Sequence, residues 1–197
     1  MKRVFIKTVL ASVALATMGV AFAQEKTIKF ANQNAVGHPI VQGMEKFKEI
    51  VEKQSGGKIK VNVFPGGALG SDQANVSAIQ GGALEMASMN SGIFASQVKD
   101  FAVFDFPFMF ASGKEADAVV DGAFGKKMHA KLEEKGLVGL GYYEFGFRHM
   151  SNSKRPINKV ADIDGLKLRV IPNPINVDWV KALGANPTPL PFPELYA

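Results

Sequence analysis

Apolar and polar positions follow two different periods along the chain. Residues 58–64 alternate one by one, which predicts a half-buried strand ended by the Pro65-Gly66-Gly67 turn. Residues 40–51 instead repeat their apolar side chains every three or four positions, which predicts an amphipathic helix that starts at Pro39. A short strand over residues 26–31 precedes this helix. Strand, helix and strand in this order predict an α/β fold.

The same two periods continue toward the end of the sequence. A helix is expected from Ser71 or Asp72 to about Gln80, because either side chain can cap it. The other predicted elements are strands over residues 84–89, 136–143 and 167–171 and helices over residues 114–121, 124–135 and 175–183. The aromatic stretch over residues 101–110 is interpreted as core rather than as a cofactor site. Because residues 193–197 have the pattern of a first helical turn, we expect a truncated chain.

The first 23 residues have the order of a secretory signal peptide. Lys2, Arg3 and Lys7 precede an uncharged, mostly apolar run over residues 8–20, and Ala21-Phe22-Ala23 matches a small-x-small cleavage site. The run is shorter than the ~20 apolar residues that span a bilayer, and no later stretch approaches that length. A buried N-terminal helix is the alternative interpretation. We expect cleavage after Ala23 and a periplasmic protein.

Composition then excludes several functions. Removal of the leader takes away three of the 23 basic residues against an unchanged 18 acidic ones, which lowers the formal net charge from +5 to +2. That balance offers no basic surface for nucleic acid. The absence of cysteine excludes disulfides, thiolate metal sites and a cysteine nucleophile. With three histidines and no Gly-x-Ser-x-Gly motif, the sequence predicts no catalytic residue, no metal and no cofactor, and hence no enzyme.

Two arginines are candidates for binding an anion. Arg169 stands near the carboxyl end of a predicted strand, where α/β proteins bind ligands, and its planar guanidinium can bind a carboxylate bidentately. Arg148 follows the aromatic-rich residues 142–147 and can line a pocket. The alternatives are a solvated or salt-bridged Arg169 and an Arg148 stacked on a ring at the edge of the core.

Two further candidates stand at the ends of predicted elements. His38 precedes the helix that starts at Pro39, so it can bring a hydrogen-bond donor to a helix N-terminus that favours anions. Asn90 follows the predicted strand over residues 84–89 at its carboxyl end. The alternatives are a capping or loop role for His38 and an ordinary turn at Asn90.

A succession of motifs resembles one known family. After the opening strand come HP, EKFKEIVEKQSGGKIKVNVFPGGALGSD, FDFPFMF, GFRHMSNSKRPI, IDGLKLRVIPNP and WVKALGANPTPLPFPELY, in this order. Over residues 26–197 the chain resembles the extracytoplasmic binding proteins of tripartite ATP-independent periplasmic (TRAP) transporters, in their dicarboxylate-binding branch. The resemblance implies a two-lobed α/β fold that closes over its ligand by hinge bending. The first lobe is expected over residues 24–145, and the hinge crossing and the start of the second over residues 146–197.

The resemblance also implies roles for individual residues. Arg169 is the position that binds the ligand carboxylate, Arg148 lies near it, and Phe192 packs against the ligand. Four further positions are implied to line the pocket: Gln33, His38, Asn90 and Asn173. The implied function is the capture of a small organic acid, such as a C4-dicarboxylate, a uronate or another sugar acid. A monomer would deliver this acid to the membrane subunits of a TRAP transporter.

Two departures from the family pattern and three alternative functions accompany this resemblance. Family members continue past Ala197 through a segment that adds an asparagine to the pocket and completes the second lobe. The run over residues 170–174 differs from that of sialic-acid-binding members, which argues against sialic acid as the ligand.

The alternative functions are the binding protein of an ATP-driven importer, a periplasmic enzyme acting on sugar acids, and an exported sensor domain.

Overall fold

The computed structural model describes residues 26–196, so the predicted signal peptide lies outside the described residues. The strands are β1 Lys26–Ala31, β2 Ile59–Phe64, β3 Met86–Ala87, β4 Lys167–Val170 and β5 Asn186–Pro189. The α-helices are α1 Pro39–Gln54, α2 Asp72–Gln80, α3 Gly113–Val120, α4 Ala123–Glu133 and α5 Pro174–Ala182. The 3₁₀ helices are η1 Ser91–Ser96, η2 Lys99–Asp105, η3 Val160–Ile163 and η4 Phe192–Tyr196.

The first lobe is built on a parallel sheet of order β2-β1-β3, and the predicted α/β fold is confirmed. Helices α1 and α2 are the crossovers that parallel strands require. The apolar face of α1 packs on the sheet, where Met44 and Val61 are completely buried. Phe30 belongs to the same buried cluster, and its ring meets that of Phe47 edge to face with centres 5.6 Å apart. The sheet therefore positions the loops that follow β1 and β3 at one edge.

The second lobe repeats this unit on a smaller scale. Strands β4 and β5 are parallel, and α5 connects them. Its core consists of Ile163, Leu166, Leu168, Val170, Val180 and Ala185. Pro187 and Pro189 stand within β5, where an edge strand tolerates residues that lack an N–H donor. None of the helices among residues 26–196 has both the length and the apolar character needed to cross a membrane.

A third apolar cluster connects the two lobes. It contains Val76 of α2, Ile93 and Phe101 of the 3₁₀ helices, Met128 and Leu132 of α4, Leu137, and Ile171, which follows β4. Ile171 therefore packs the carboxyl end of the second sheet against elements of the first lobe. As a result, the polar residues that follow the strands of both sheets lie close together.

Two predicted strands differ from the structure. Residues 137–159 form neither helix nor strand, so the strand predicted over residues 136–143 is wrong. A strand needs a neighbour for its backbone groups, and within residues 26–196 none pairs with this segment, where Val138 and Leu140 are 72% and 71% exposed. The strand predicted over residues 84–89 is reduced to Met86–Ala87, which pairs with the last two residues of β1.

The aromatic stretch over residues 101–110 is core only in its first half. Phe101 is buried, and its ring packs between those of Phe94 and Phe104. After η2 ends at Asp105 the chain turns outward, and Phe106, Phe108 and Met109 are exposed. The core interpretation is therefore wrong for these three residues, because Pro107 cannot continue the hydrogen-bonded turns of η2.

Candidate functional site

The carboxyl ends of the two sheets meet in a polar junction, which we define by Gln33, Asp72, Arg169 and Phe192. Gln33 follows β1 and is buried, and its Oε1 accepts a hydrogen bond of 3.2 Å from the backbone nitrogen of Phe192. Gln73 connects the lobes a second time, because its Nε2 donates to the backbone oxygen of Pro172 at 3.4 Å. The junction thus lies where open α/β folds bind their ligands.

Arg169 is held in the junction by its own sheet. Its Nε and Nη2 donate to the backbone oxygen of Leu190 at 2.9 and 2.7 Å. Its guanidinium carbon lies 5.8 Å from the centre of the Phe192 ring. Within residues 26–196, Nη1 has no hydrogen-bond acceptor. One edge of the fork is therefore fixed by Leu190, and the Nη1 edge is available to the two oxygens of a carboxylate.

Arg148 and Asp105 extend the charges around Arg169. Arg148 is exposed in the irregular segment, yet its charge lowers the pKa of Arg169, in addition to the larger effect of burial. Burial raises the pKa of Asp105, and Arg148 counteracts part of this rise. Arg148 is therefore close enough to interact electrostatically with both Arg169 and Asp105. Its predicted contact with a ligand stays a prediction.

Asp72 is the junction residue that sequence reasoning missed. Ser71, and not Asp72, caps α2, because the Ser71 hydroxyl accepts from the backbone nitrogen of Ala74 at 3.2 Å. The Asp72 Oδ1 is buried without a hydrogen-bond donor in the described part of the chain. Burial raises the pKa of Asp72 to about 6, although Gln33, the backbone of Asn90 and the charge of Arg169 all lower it. The sequence indicated only a capping residue here.

Replacing Asp72 with asparagine is expected to stabilise the fold at pH 7 by about 1–2 kcal/mol. An unfolded aspartate has a pKa of about 3.9, whereas the pKa of native Asp72 is about 6. Between these values the native state keeps a proton that the unfolded state has released. The stability contributed by Asp72 is therefore fully present below pH ~4 and is lost as the pH rises through 6. The helix dipole favours the carboxylate at the first turn of α2 and reduces the gain.

Denaturant unfolding of the wild type and of Asp72→Asn between pH 4 and pH 7.5 measures this effect. The free energy of unfolding of the variant should fall less across this range than that of the wild type. Parallel curves for the two proteins would contradict a buried Asp72 with a raised pKa.

Asn173 connects the lobes one residue before α5. Its Oδ1 accepts from the backbone nitrogen of Ile175 at 2.8 Å and caps the helix. Its Nδ2 donates to the backbone oxygen of Gly92 at 2.6 Å and to Asp105 Oδ2 at 2.9 Å. With 3% exposure, Asn173 uses both polar atoms within the protein. Its predicted contact with a ligand stays a prediction.

His38 and Asn90 both act as helix caps. His38 Nδ1 accepts from the backbone nitrogen of Ile40 at 3.2 Å, and its ring stacks on Phe145 with centres 5.3 Å apart. The Asn90 side chain accepts from the backbone nitrogen of Gly92 at 3.0 Å and caps η1. The capping alternative for His38 and the turn alternative for Asn90 are therefore present in the structure. Ligand contacts of either residue stay predictions.

Two parallel α/β units whose carboxyl ends meet around an arginine define a two-lobed ligand-binding protein. The profile of the DctP family, bacterial extracellular solute-binding proteins of family 7, matches residues 30–197, and the chain belongs to this family. The resemblance inferred from the sequence motifs is confirmed.

Three similar proteins place the chain within this family. The sugar acid binding protein DctPAm from Advenella mimigardefordensis, in complex with galactonate, is 42% identical with a TM-score of 0.85 and is matched over 88% of this chain and 56% of its own. A TRAP periplasmic solute binding protein from Ochrobactrum anthropi, with its C-terminus bound in the ligand binding pocket, is 52% identical with a TM-score of 0.77 over 88% and 54%. The 2,3-diketo-L-gulonate-binding periplasmic protein YiaO of Escherichia coli is 38% identical over 77% of this chain and 46% of its own. The chain thus spans about half the length of the proteins it matches.

Proposed function

We propose that the chain is the ligand-binding part of an exported receptor that captures a small organic acid in the periplasm and delivers it to a TRAP-type secondary transporter. The observation that carries the proposal is Arg169, whose guanidinium is fixed by Leu190 on one edge and has an unused edge in the junction. Family membership and the named ligands of similar proteins, galactonate and 2,3-diketo-L-gulonate, support the same chemistry.

In this proposal the residues in and around the junction bind the ligand and do not convert it chemically. Arg169 binds the carboxylate through charge-assisted hydrogen bonds, which are stronger than neutral ones. Arg148 adds positive charge, and the Phe192 ring covers an apolar part of the ligand. The remaining predicted contacts come from Gln33, Asn90, His38 and Asn173. The receptor acts as a monomer without a cofactor and does not bind nucleic acid.

Closure of the two lobes over the ligand would be the signal by which the transporter recognises the ligand-bound receptor. The lobes correspond to residues 24–145 and 146–197, with the signal peptide removed after Ala23. A ligand shifts an equilibrium between open and closed states only by its difference in affinity for them. Because Arg169 belongs to the second lobe and Gln33 and Asp72 to the first, a ligand that contacts all three favours the closed state.

Thermal unfolding of the protein expressed from its complete gene tests the proposal. We expect small carboxylates to raise the melting temperature and their amides to leave it unchanged. A ligand at ~100 times its dissociation constant adds about 2.7 kcal/mol of stability, which such a measurement resolves easily. A folded sample that no carboxylate stabilises would contradict an arginine-centred receptor.

The same samples separate binding from catalysis. The bound acid should be recovered unchanged after denaturation of the protein, whereas conversion to a new compound would indicate an enzyme.

The neighbouring genes distinguish the possible partners. A neighbouring pair of genes for membrane subunits, without a gene for an ATPase, would favour the TRAP-type partner over an ATP-driven importer. A neighbouring histidine kinase would instead favour the sensor alternative.

A further inference from the structure

The turn that follows β2 is fixed to the loop that follows β1. Gly66 N donates to the backbone oxygen of Asn34 at 2.8 Å, and Gly67 N donates to that of Asn32 at 3.0 Å. Both glycines have a positive φ, +68° and +73°, which favours glycine at each position. The sequence assigned this turn no role beyond ending β2. In the structure it is a firm surface at the edge of the junction.

Gly67 is also the point where the second lobe touches the turn. A Cβ atom at this position would lie 2.7 Å from Cγ and 3.5 Å from Cβ of Pro193, whereas carbon atoms in contact are normally about 3.5–4.0 Å apart. At Gly66 a Cβ atom would meet no atom within 4 Å in the described part of the chain. The two adjacent glycines thus share one backbone conformation, but only Gly67 is required by a neighbour from the other lobe.

The contact at Pro193 also constrains the preceding residue, Phe192. The Phe192 N–H donates to Gln33 Oε1 at 3.2 Å, and its ring centre lies 5.8 Å from the guanidinium carbon of Arg169. Gln33 stands between the two residues that hold the turn, so both contacts come from one unit of the first lobe. Because the proline ring fixes its own φ, a displacement of Pro193 moves the Phe192 backbone with it. A side chain at position 67 would therefore displace Phe192 from its place beside Arg169.

We propose that Gly67 and Pro193 are positioning residues, which set how closely the two lobes of the receptor approach and hence where Phe192 stands over the bound acid. The inference rests on the proposed function and adds to it the contact at which closure stops. A side chain at position 67 keeps η4 away from the turn, so fewer molecules adopt the closed state. The apparent affinity for an acid that contacts both lobes falls with that fraction.

Alanine at each of the two glycines tests the inference on protein expressed from its complete gene. Titration calorimetry uses D-galactonate, D-galacturonate and succinate as probes. For each probe that the wild type binds, Gly67→Ala should weaken binding at least ~10-fold, equivalent to about 1.4 kcal/mol. Gly66→Ala is the matched control, because it imposes the same backbone strain without the contact, and its dissociation constant should stay within about 2-fold of the wild-type value. The fitted stoichiometry reports the folded fraction, so a loss of structure is not mistaken for a loss of affinity.

Removal of the proline ring should abolish the effect of the added side chain. Pro193→Ala lacks Cγ, and the Cβ that remains would lie 3.5 Å from a Cβ at position 67, which is an ordinary contact. In Pro193→Ala protein, the additional Gly67→Ala substitution should change the dissociation constant less than ~3-fold. Gly67→Asn and Gly66→Asn repeat the comparison with a residue that tolerates a positive φ, should alanine prevent folding.

The outcomes separate this inference from the proposed function. No loss of affinity for Gly67→Ala, or equal losses for Gly67→Ala and Gly66→Ala, overturns the inference while the proposed function stands. A loss that persists when Gly67→Ala is combined with Pro193→Ala overturns it as well, because the contact is then not its cause. If the wild type binds neither these probes nor any other carboxylate, the proposed function fails and the inference fails with it.

Discussion

Replacing Arg169 with alanine should weaken binding of the ligand acid at least ~30-fold. Loss of one partner from a buried, charge-assisted pair costs about 2–5 kcal/mol, and the lower end of this range corresponds to ~30-fold. The alanine also leaves the Leu190 backbone oxygen without its two donors and removes the cation that stacks on Phe192. Titration calorimetry on protein expressed from its complete gene, with an acid identified in the thermal screen, measures the loss.

Two variants separate this effect from a general loss of structure. Arg169→Lys keeps the charge but not the planar fork, so we expect a loss of affinity between those of wild type and alanine. Arg155→Ala is a matched control, because Arg155 also donates through Nε and Nη2 to backbone oxygens, those of Asp162 and Asp164. Its affinity for the acid should equal that of the wild type. An unchanged dissociation constant for Arg169→Ala, or an equal loss for Arg155→Ala, would remove Arg169 from the site.

The parts of the fold that the sequence predicted well are those with strong local patterns. Helix α1 begins at Pro39 as predicted, because proline is favoured at a first helical position and the apolar spacing is regular. The β1-α1-β2 unit follows from the same patterns. Strand β5 was missed because Asn186–Pro189 contains two prolines, which normally argue against a strand. Its pairing with β4 is decided by tertiary packing, which a local pattern does not contain.

The candidate site shows the same division between local and distant information. Position at the carboxyl end of a strand, together with the resemblance, selects Arg169 as the candidate for binding a carboxylate, and this role stays a prediction. Asp72 looked like a cap, because its partners Gln33 and Arg169 are far away in sequence and only the fold brings them together. Asn173 likewise contacts Gly92 and Asp105, which lie 81 and 68 residues earlier in the chain. The sequence indicated the residue types, but not which of them hold the protein together.

Asn173 gives the second large prediction, which concerns stability. Asn173→Ala should reduce the free energy of unfolding by about 2–4 kcal/mol. The variant loses a helix cap, worth about 1 kcal/mol, and it leaves the Gly92 backbone oxygen and the Asp105 carboxylate without their buried donor, which costs about 1–3 kcal/mol more. For a protein of this size, the melting temperature should fall by roughly 5–15 °C.

Ser112→Ala is the matched control for the capping part of this loss. Ser112 caps α3 through a 3.2 Å hydrogen bond from the backbone nitrogen of Glu115, and its removal should cost about 1 kcal/mol. Asn173→Asp retains the cap acceptor but places a carboxylate beside Asp105, so it should also be less stable than the wild type at neutral pH. If Asn173→Ala destabilises no more than Ser112→Ala, the contacts to Gly92 and Asp105 do not connect the lobes. A loss clearly larger than that of Ser112→Ala means that one side chain both starts α5 and fixes the second lobe against the first, next to the arginine proposed to bind the ligand.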